Sequence, residues 1–443
     1  MAHAERATCE RCGGRLPADD PSGLCPHGLL SDTPGDRTRM PPGRPLSSGP
    51  VNRKPALVSV GAAFVAILFG WLWLAGRREG QRADYLAQVD RGAGLYQQRK
   101  VDEAIAAYRE AIGIRPERAE AHNNLGIALH AKGRLEEAIA ELRTAIRLQP
   151  EYALAHYNLS LALRSQGRPD EAIAAFREAI RIKPNFAAAH MNLGAVLQAQ
   201  GQREEAIAEF RKAIRFQPGL AMAHNHLGSA LREQGMLQEA ITECRMAIRL
   251  QPDYADAYLN VGTVLADLGK WEEAIAAWRE SIRLRPDLAM AHMNLGTVLN
   301  AQGQREEAIA EFHAAIRAQP DLAEAHMNLG GLLQARGKLK DAITEYRTAI
   351  QLRPDYADAH LNLGTALGDQ GKLEEAIAEF RAAIRLQPDY PRAHYVLGLA
   401  LREQGKRQEA IAEFRTARDH AQHGSQLAGQ IERSLAATDD EQD

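Results

Sequence analysis

An all-α solenoid of stacked helical hairpins is the fold class this sequence predicts, and three observations carry it. Proline recurs every 34 residues, at Pro116, Pro150, Pro184, Pro218, Pro252, Pro286, Pro320, Pro354 and Pro388, and residues 85–424 divide into ten units without a gap. Each unit holds two runs rich in Ala, Leu, Glu and Arg, each of about 14 residues or four helical turns. Aromatic residues make up only 5% of the chain, too few for one large core. They suffice where every unit buries its face on a neighbour.

The unit 119–152, AEAHNNLGIALHAKGRLEEAIAELRTAIRLQPEY, shows why each element forms. Gly133 ends the first run, because glycine adopts the backbone of a helix C-cap without a Cβ penalty. Pro150 stops the second run, since it cannot continue a helix and restricts the residue before it. The expected A helix lies near 119–132 and the B helix near 135–148. Numbering each unit from 1 to 34, small residues recur where helices must approach closely. Position 20 is alanine in all ten units, from Ala104 to Ala410; position 27 is alanine except at Ser281, and position 8 is glycine except at Ser160. Position 24 carries bulk, as at Tyr108, Phe176, Phe210, Trp278 and Phe380. Cys244 also falls at position 24 and is read as core. Leu125 and Leu129 form the i, i+4 apolar stripe of an A helix.

Leucine-glycine at positions 7–8, glycine at 15, alanine at 20, an aromatic at 24, alanine at 27 and proline at 32 resemble the tetratricopeptide repeat. The likeness spans 85–424. It implies a right-handed superhelical solenoid whose A helices line a concave face at positions 2, 5, 6, 9, 12 and 13. The first unit is the loosest, with Arg91 and Arg99 where leucine and glycine are expected. Residues 425–436 read as a polar capping helix within a C-terminal segment, 425–443, that ends in an acidic tail, Asp439 to Asp443.

Upstream lie three further segments. Residues 56–76 (ALVSVGAAFVAILFGWLWLAG) contain no charge and would span about 30 Å as a helix. Arg53 and Lys54 precede them, Arg77 and Arg78 follow, and Trp71 and Trp73 sit near one end. A single transmembrane helix at 55–77 is therefore expected, in a bacterial inner membrane with the N-terminus cytoplasmic. Residues 31–54, rich in Pro, Gly, Ser and Arg, are expected to be a disordered linker. Within 1–30, Cys9, Cys12, Cys25 and His27 resemble a short zinc ribbon, and one structural zinc is the only cofactor expected. Such ribbons close with Cys-Pro-x-Cys, whereas Gly28 stands at the last position here.

The net charge is −3 overall; residues 1–54 carry 8 basic and 6 acidic groups (+2) and residues 55–84 carry 3 and 2 (+1), leaving −6 for 85–443. That offers no electrostatic footprint for nucleic acid. No phosphate loop, paired nucleophile and base, or catalytic metal motif appears, so no enzyme activity and no small-molecule substrate are expected.

The expected role is a membrane-anchored scaffold binding extended segments of protein partners. Position 6 places Asn124, Asn158, Asn192, Asn260, Asn294, Asn328 and Asn362 in one series, broken by His226. A carboxamide both donates and accepts, so it can pair with a peptide backbone of any sequence. This ladder is similar to one along the repeats of O-linked N-acetylglucosamine transferases. The likeness implies a peptide-contacting row, and leaves open a second role presenting substrates to a separate glycosyltransferase-type enzyme. The other reading of the amides is that they bond neighbouring helices and set the superhelix. Beside them, position 5 places Tyr157, Met191, Leu259, Met293, Met327, Leu361 and Tyr395. The methionines suit adaptable binding, and the other reading is ordinary apolar packing under neighbouring side chains. Lysine at position 5 and asparagine at position 9, which the family's grip on a C-terminal carboxylate requires, are both missing. Histidine at position 4, from His122 to His394, reads as packing, with a pH response or a metal as alternatives.

Overall fold

The computed structural model describes Trp71, residues 79–422 and residues 425–439. The expected zinc-ribbon segment with Cys9, Cys12, Cys25 and His27, the linker, the span apart from Trp71, and the tail beyond residue 439 lie outside the described residues. Among the described residues, every regular element is a helix, and none is long and apolar enough to cross a membrane.

Helix boundaries recur with the sequence period. The second repeat has an A helix at Ala119–Ala131 and a B helix at Leu135–Leu148. The tenth has them at Pro391–Glu403 and Arg407–His420. The first repeat differs: its A helix runs over 79–97 of the described residues, ahead of a B helix at Val101–Ile114.

The turn between A and B helices is fixed by one backbone device. Arg134 N–H bonds Leu129 C=O at 2.9 Å, and Gly133 N–H bonds His130 C=O at 2.9 Å, with Gly133 at φ 76°. This Schellman arrangement satisfies carbonyls that the helix end would leave unpaired. It recurs at every later position 15, where φ stays positive up to Gly405. The first repeat makes the same bonds, Lys100 to Leu95 and Arg99 to Tyr96, with Arg99 forced to φ 60°. No other non-glycine residue among those described has a positive φ.

Packing within a hairpin rests on the small positions. Ala138 and Ala145 are fully buried, as is Leu142 between them on the B helix. A Cβ added at Gly194 would sit 2.7 Å from Phe210 Cε1 and 3.1 Å from the Ala206 carbonyl, so position 8 must be small. Where Ser160 replaces that glycine, its hydroxyl donates to the Tyr157 carbonyl at 2.5 Å. At position 27, Ser281 likewise donates to Ala255 C=O at 2.9 Å. Both exceptions bury a hydroxyl without leaving it unpaired.

The chain divides into two compact units, residues 1–226 and 227–443. In each, A helices pack on their own B helices, and B helices on the following A helix. The outer surface of each unit repeats a set of ion pairs. Arg109–Glu137, Arg143–Glu171 and Arg177–Glu205 occur in the first, at 3.3, 3.2 and 3.2 Å. Arg245–Glu273, Arg347–Glu375 and Arg381–Glu409 occur in the second, at 3.5, 3.3 and 3.4 Å. These pairs are exposed, and each contributes little on its own. A final helix, Gln426–Asp439, follows the tenth repeat and buries Ile431 and Leu435. Ser425 caps it, accepting from Ala428 N–H at 3.2 Å.

Candidate binding face of the A helices

Position 6 lies mid-helix on the A helix, three residues beyond a buried alanine and directly before the core leucine. The chain therefore sends all seven asparagines toward the adjoining A helices. What each then meets is set by position 5 of the preceding repeat, 35 residues earlier.

In the first unit, position 5 offers oxygen to Asn158 and Asn192, from Asn123 and Tyr157, whereas Asn124 follows Val89. Asn158 Nδ2 donates to Asn123 Oδ1 at 2.9 Å, and Asn123 Nδ2 donates to Asn124 Oδ1 at 3.2 Å. Asn192 Nδ2 donates to Tyr157 OH at 3.1 Å and to its own helix at Ala188 C=O, 2.9 Å away. Arg164 donates to Asn192 Oδ1 at 2.9 Å. Asn124, Asn158 and Asn192 are all buried, at 1%, 4% and 5% exposure. Asn158 and Asn192 thus bond neighbouring A helices, while Asn124 is bonded within its own helix and its buried Nδ2 finds no hydrogen-bond partner. His226, in place of the next asparagine, stacks on Phe210 with centroids 5.5 Å apart.

For Asn294, Asn328 and Asn362 in the second unit, position 5 of the preceding repeat offers an apolar side chain or a thioether. Asn328 Nδ2 reaches only Met293 Sδ at 3.9 Å, and Asn362 Nδ2 only Met327 Sδ at 3.6 Å. Sulfur is a weak acceptor. Asn294 follows a repeat with Leu259 at position 5, and turns instead to Thr263 Oγ1 at a long 3.5 Å. Asn260, Asn294, Asn328 and Asn362 are half-buried, as are Met293 and Met327. Asn294, Asn328 and Asn362 remain open to solvent while their local bonds are poor.

Sequence reasoning treated the seven amides alike and missed the influence of position 5. It placed Tyr157 beside the ladder on an accessible face, whereas its ring is fully buried and its hydroxyl anchors Asn192. The signal was present as Asn123 and Tyr157 in early repeats against Leu259, Met293 and Met327 in later ones. Cys244 is buried and free, and burial pushes its thiol up to about 12, as expected of core rather than a reactive site. Among the described residues, no cluster of three or more His, Cys, Asp or Glu side chains could hold a metal ion.

Family comparisons agree with this geometry. A model described as "TPR repeat" matches residues 160–201, 228–269, 262–303, 296–335 and 332–371. Two models described as "Tetratricopeptide repeat" match 89–150 with 361–424, and 187–220. The chain belongs to the tetratricopeptide-repeat proteins. Among solved structures it is similar to YrrB, described as a TPR protein with an unusual peptide-binding site; identity is 26%, covering 42% of this chain and 95% of that one, with a TM-score of 0.36. It is also similar to MamA, at 29% identity, 38% and 97% coverage and a TM-score of 0.33. The protein pilF of Pseudomonas aeruginosa matches at 20% identity, 48% and 97% coverage and a TM-score of 0.44. A search of curated proteins returned no match.

Proposed function

We propose that the repeat array is a non-catalytic scaffold that holds extended segments of partner proteins along its A helices, through Asn294, Asn328 and Asn362. The observation carrying this reading is the contrast between the units. Asn158 and Asn192, facing oxygen at position 5, are buried and bonded to it, whereas these three are half-buried and rest on a distant hydroxyl or a thioether. A polypeptide backbone supplies the better donors and acceptors such amides lack. Met293 and Met327 beside them provide apolar contacts that adapt to different side chains. The uncharged run at 56–76 supports attachment of this scaffold to a membrane through 55–77.

The test selects peptides from a random displayed library on the full chain, then measures them against the triple variant Asn294→Ala, Asn328→Ala, Asn362→Ala. Three hydrogen bonds at about 1 kcal/mol each predict an affinity loss on the order of a hundredfold. The fold should be unaffected, because the amides give up only weak local contacts. An unchanged affinity refutes the proposal.

A further inference from the structure

Histidine at position 4 sits at the joint between successive repeats, with the same two contacts in five of them. His122, His190, His292, His326 and His394 each set Nδ1 against a glutamate of their own B helix. Those partners are Glu141, Glu209, Glu311, Glu345 and Glu413, at 2.6, 2.5, 2.5, 2.6 and 2.6 Å. Their Nε2 atoms face carbonyls of the preceding turn: Pro116, Pro184, Pro286, Pro320 and Pro388, at 3.0, 2.9, 3.0, 3.1 and 2.9 Å. His360 makes the carboxylate contact with Glu379 at 2.6 Å.

A backbone carbonyl only accepts, and so does an ionised carboxylate. A neutral imidazole has one N–H and can serve only one of them, leaving two lone pairs opposed across the other contact. For both contacts to be hydrogen bonds, a joint needs one proton more than a neutral ring beside a carboxylate.

A second observation lies in the repeats themselves. Position 23 is glutamate in seven repeats with histidine at position 4: Glu141, Glu209, Glu243, Glu311, Glu345, Glu379 and Glu413. It is alanine, Ala107 and Ala277, in the two repeats whose position 4 is Gln88 or Tyr258. The exception is His156, with Ala175 at position 23. There Nε2 still meets Pro150 C=O at 2.9 Å, a bond that a neutral ring can make alone.

We propose that these histidines are proton-dependent clasps across the repeat joints. Protonated, each ties the preceding proline turn to its own B helix. Deprotonated, each releases one of the two, and the joint loosens.

Other charges bear on the clasps. The hydrogen bonds that His122 and His292 donate to Glu141 and Glu311 hold both rings above the ordinary imidazole value, against burial and the nearby charges of Arg147 and Arg317. Burial works against ionisation of Glu209, but His190 and Lys212, the latter at 2.7 Å, hold its carboxyl below the usual range. His190 also stacks on Phe216 at 5.5 Å, and His394 lies 6.5 Å from the His420 ring. Because the rings of His122 and His292 are raised in the folded state, their stabilisation is complete below the ordinary imidazole value of 6.5 and is lost as pH rises through the raised one.

The experiment compares the full chain with a variant carrying E141Q, E209Q, E311Q, E345Q, E379Q and E413Q. A glutamine amide donates to the Nδ1 lone pair of a neutral ring while Nε2–H still serves the proline carbonyl. The substituted joints are thus satisfied without the extra proton. Between about pH 6 and 9, the thermal midpoint of the unsubstituted chain should fall by about 5 °C or more relative to the variant. Imidazole NMR titration of the unsubstituted chain should show His122 and His292 holding their protons above the ordinary value. Parallel melting curves, or His122 and His292 rings that titrate at the ordinary imidazole value, overturn the proposal.

Discussion

Two adjacent glycines in one helix give a sharp test of the packing argument. Gly330 and Gly331 both lie inside Ala323–Ala335, so helix propensity favours alanine at each by about 1 kcal/mol. Their surroundings differ. A Cβ at Gly330 would stand 2.8 Å from Tyr346 Cε1 and 2.9 Å from Cδ1, whereas at Gly331 the nearest atom is Tyr346 OH at 3.8 Å. Carbon atoms settle at about 3.5–4.0 Å, so Gly330→Ala must displace the ring by several tenths of an ångström. The Tyr346 ring is 1% exposed and its hydroxyl donates to Gln334 Oε1 at 3.0 Å, so it has nowhere to go. Overpacking of this kind costs about 1–3 kcal/mol, which cancels or exceeds the propensity gain. Gly331→Ala keeps the gain. The two variants should therefore differ by about 1–3 kcal/mol, with Gly331→Ala the more stable. Urea unfolding followed by circular dichroism, with amide exchange across Ala323–Ala335 as a local readout, measures the difference. Equal stabilities, or Gly330→Ala the more stable, would show that position 8 does not set the hairpin spacing.

Two other outcomes are expected. Arg99 holds a left-handed backbone that glycine adopts freely, so Arg99→Gly should stabilise the first repeat by about 0.5–1 kcal/mol despite glycine's greater unfolded-state entropy, as read by urea midpoint. If 55–77 spans a membrane, the full chain should remain in the membrane fraction after alkaline carbonate extraction and leave it when those residues are deleted; release of the full chain would end that expectation.

Helix boundaries were legible because the residues that set them act locally. Gly133 and its equivalents take a positive φ that other residues rarely adopt, and Pro150 and its equivalents forbid continuation. The close approach of A and B helices was equally readable from glycine at position 8 opposite bulk at position 24. The fate of the carboxamides was not, because it is decided in another repeat. Asn192 is engaged since Tyr157 brings an oxygen to it, while Asn362 meets only the sulfur of Met327. The histidine column was legible as packing, yet its partners are a glutamate 19 residues away and a carbonyl six residues back. Neither partner belongs to the i, i+3 or i, i+4 neighbourhood that governs a helix surface.

The most direct measurement is a crystal structure of the full chain bound to a peptide selected on it. The account predicts an extended peptide lying across the A helices of the later repeats, its main-chain N–H and C=O groups paired with the carboxamides of Asn294, Asn328 and Asn362. A peptide seated on the B helices, or one on the A helices that leaves those amides on Thr263, Met293 and Met327, would contradict it.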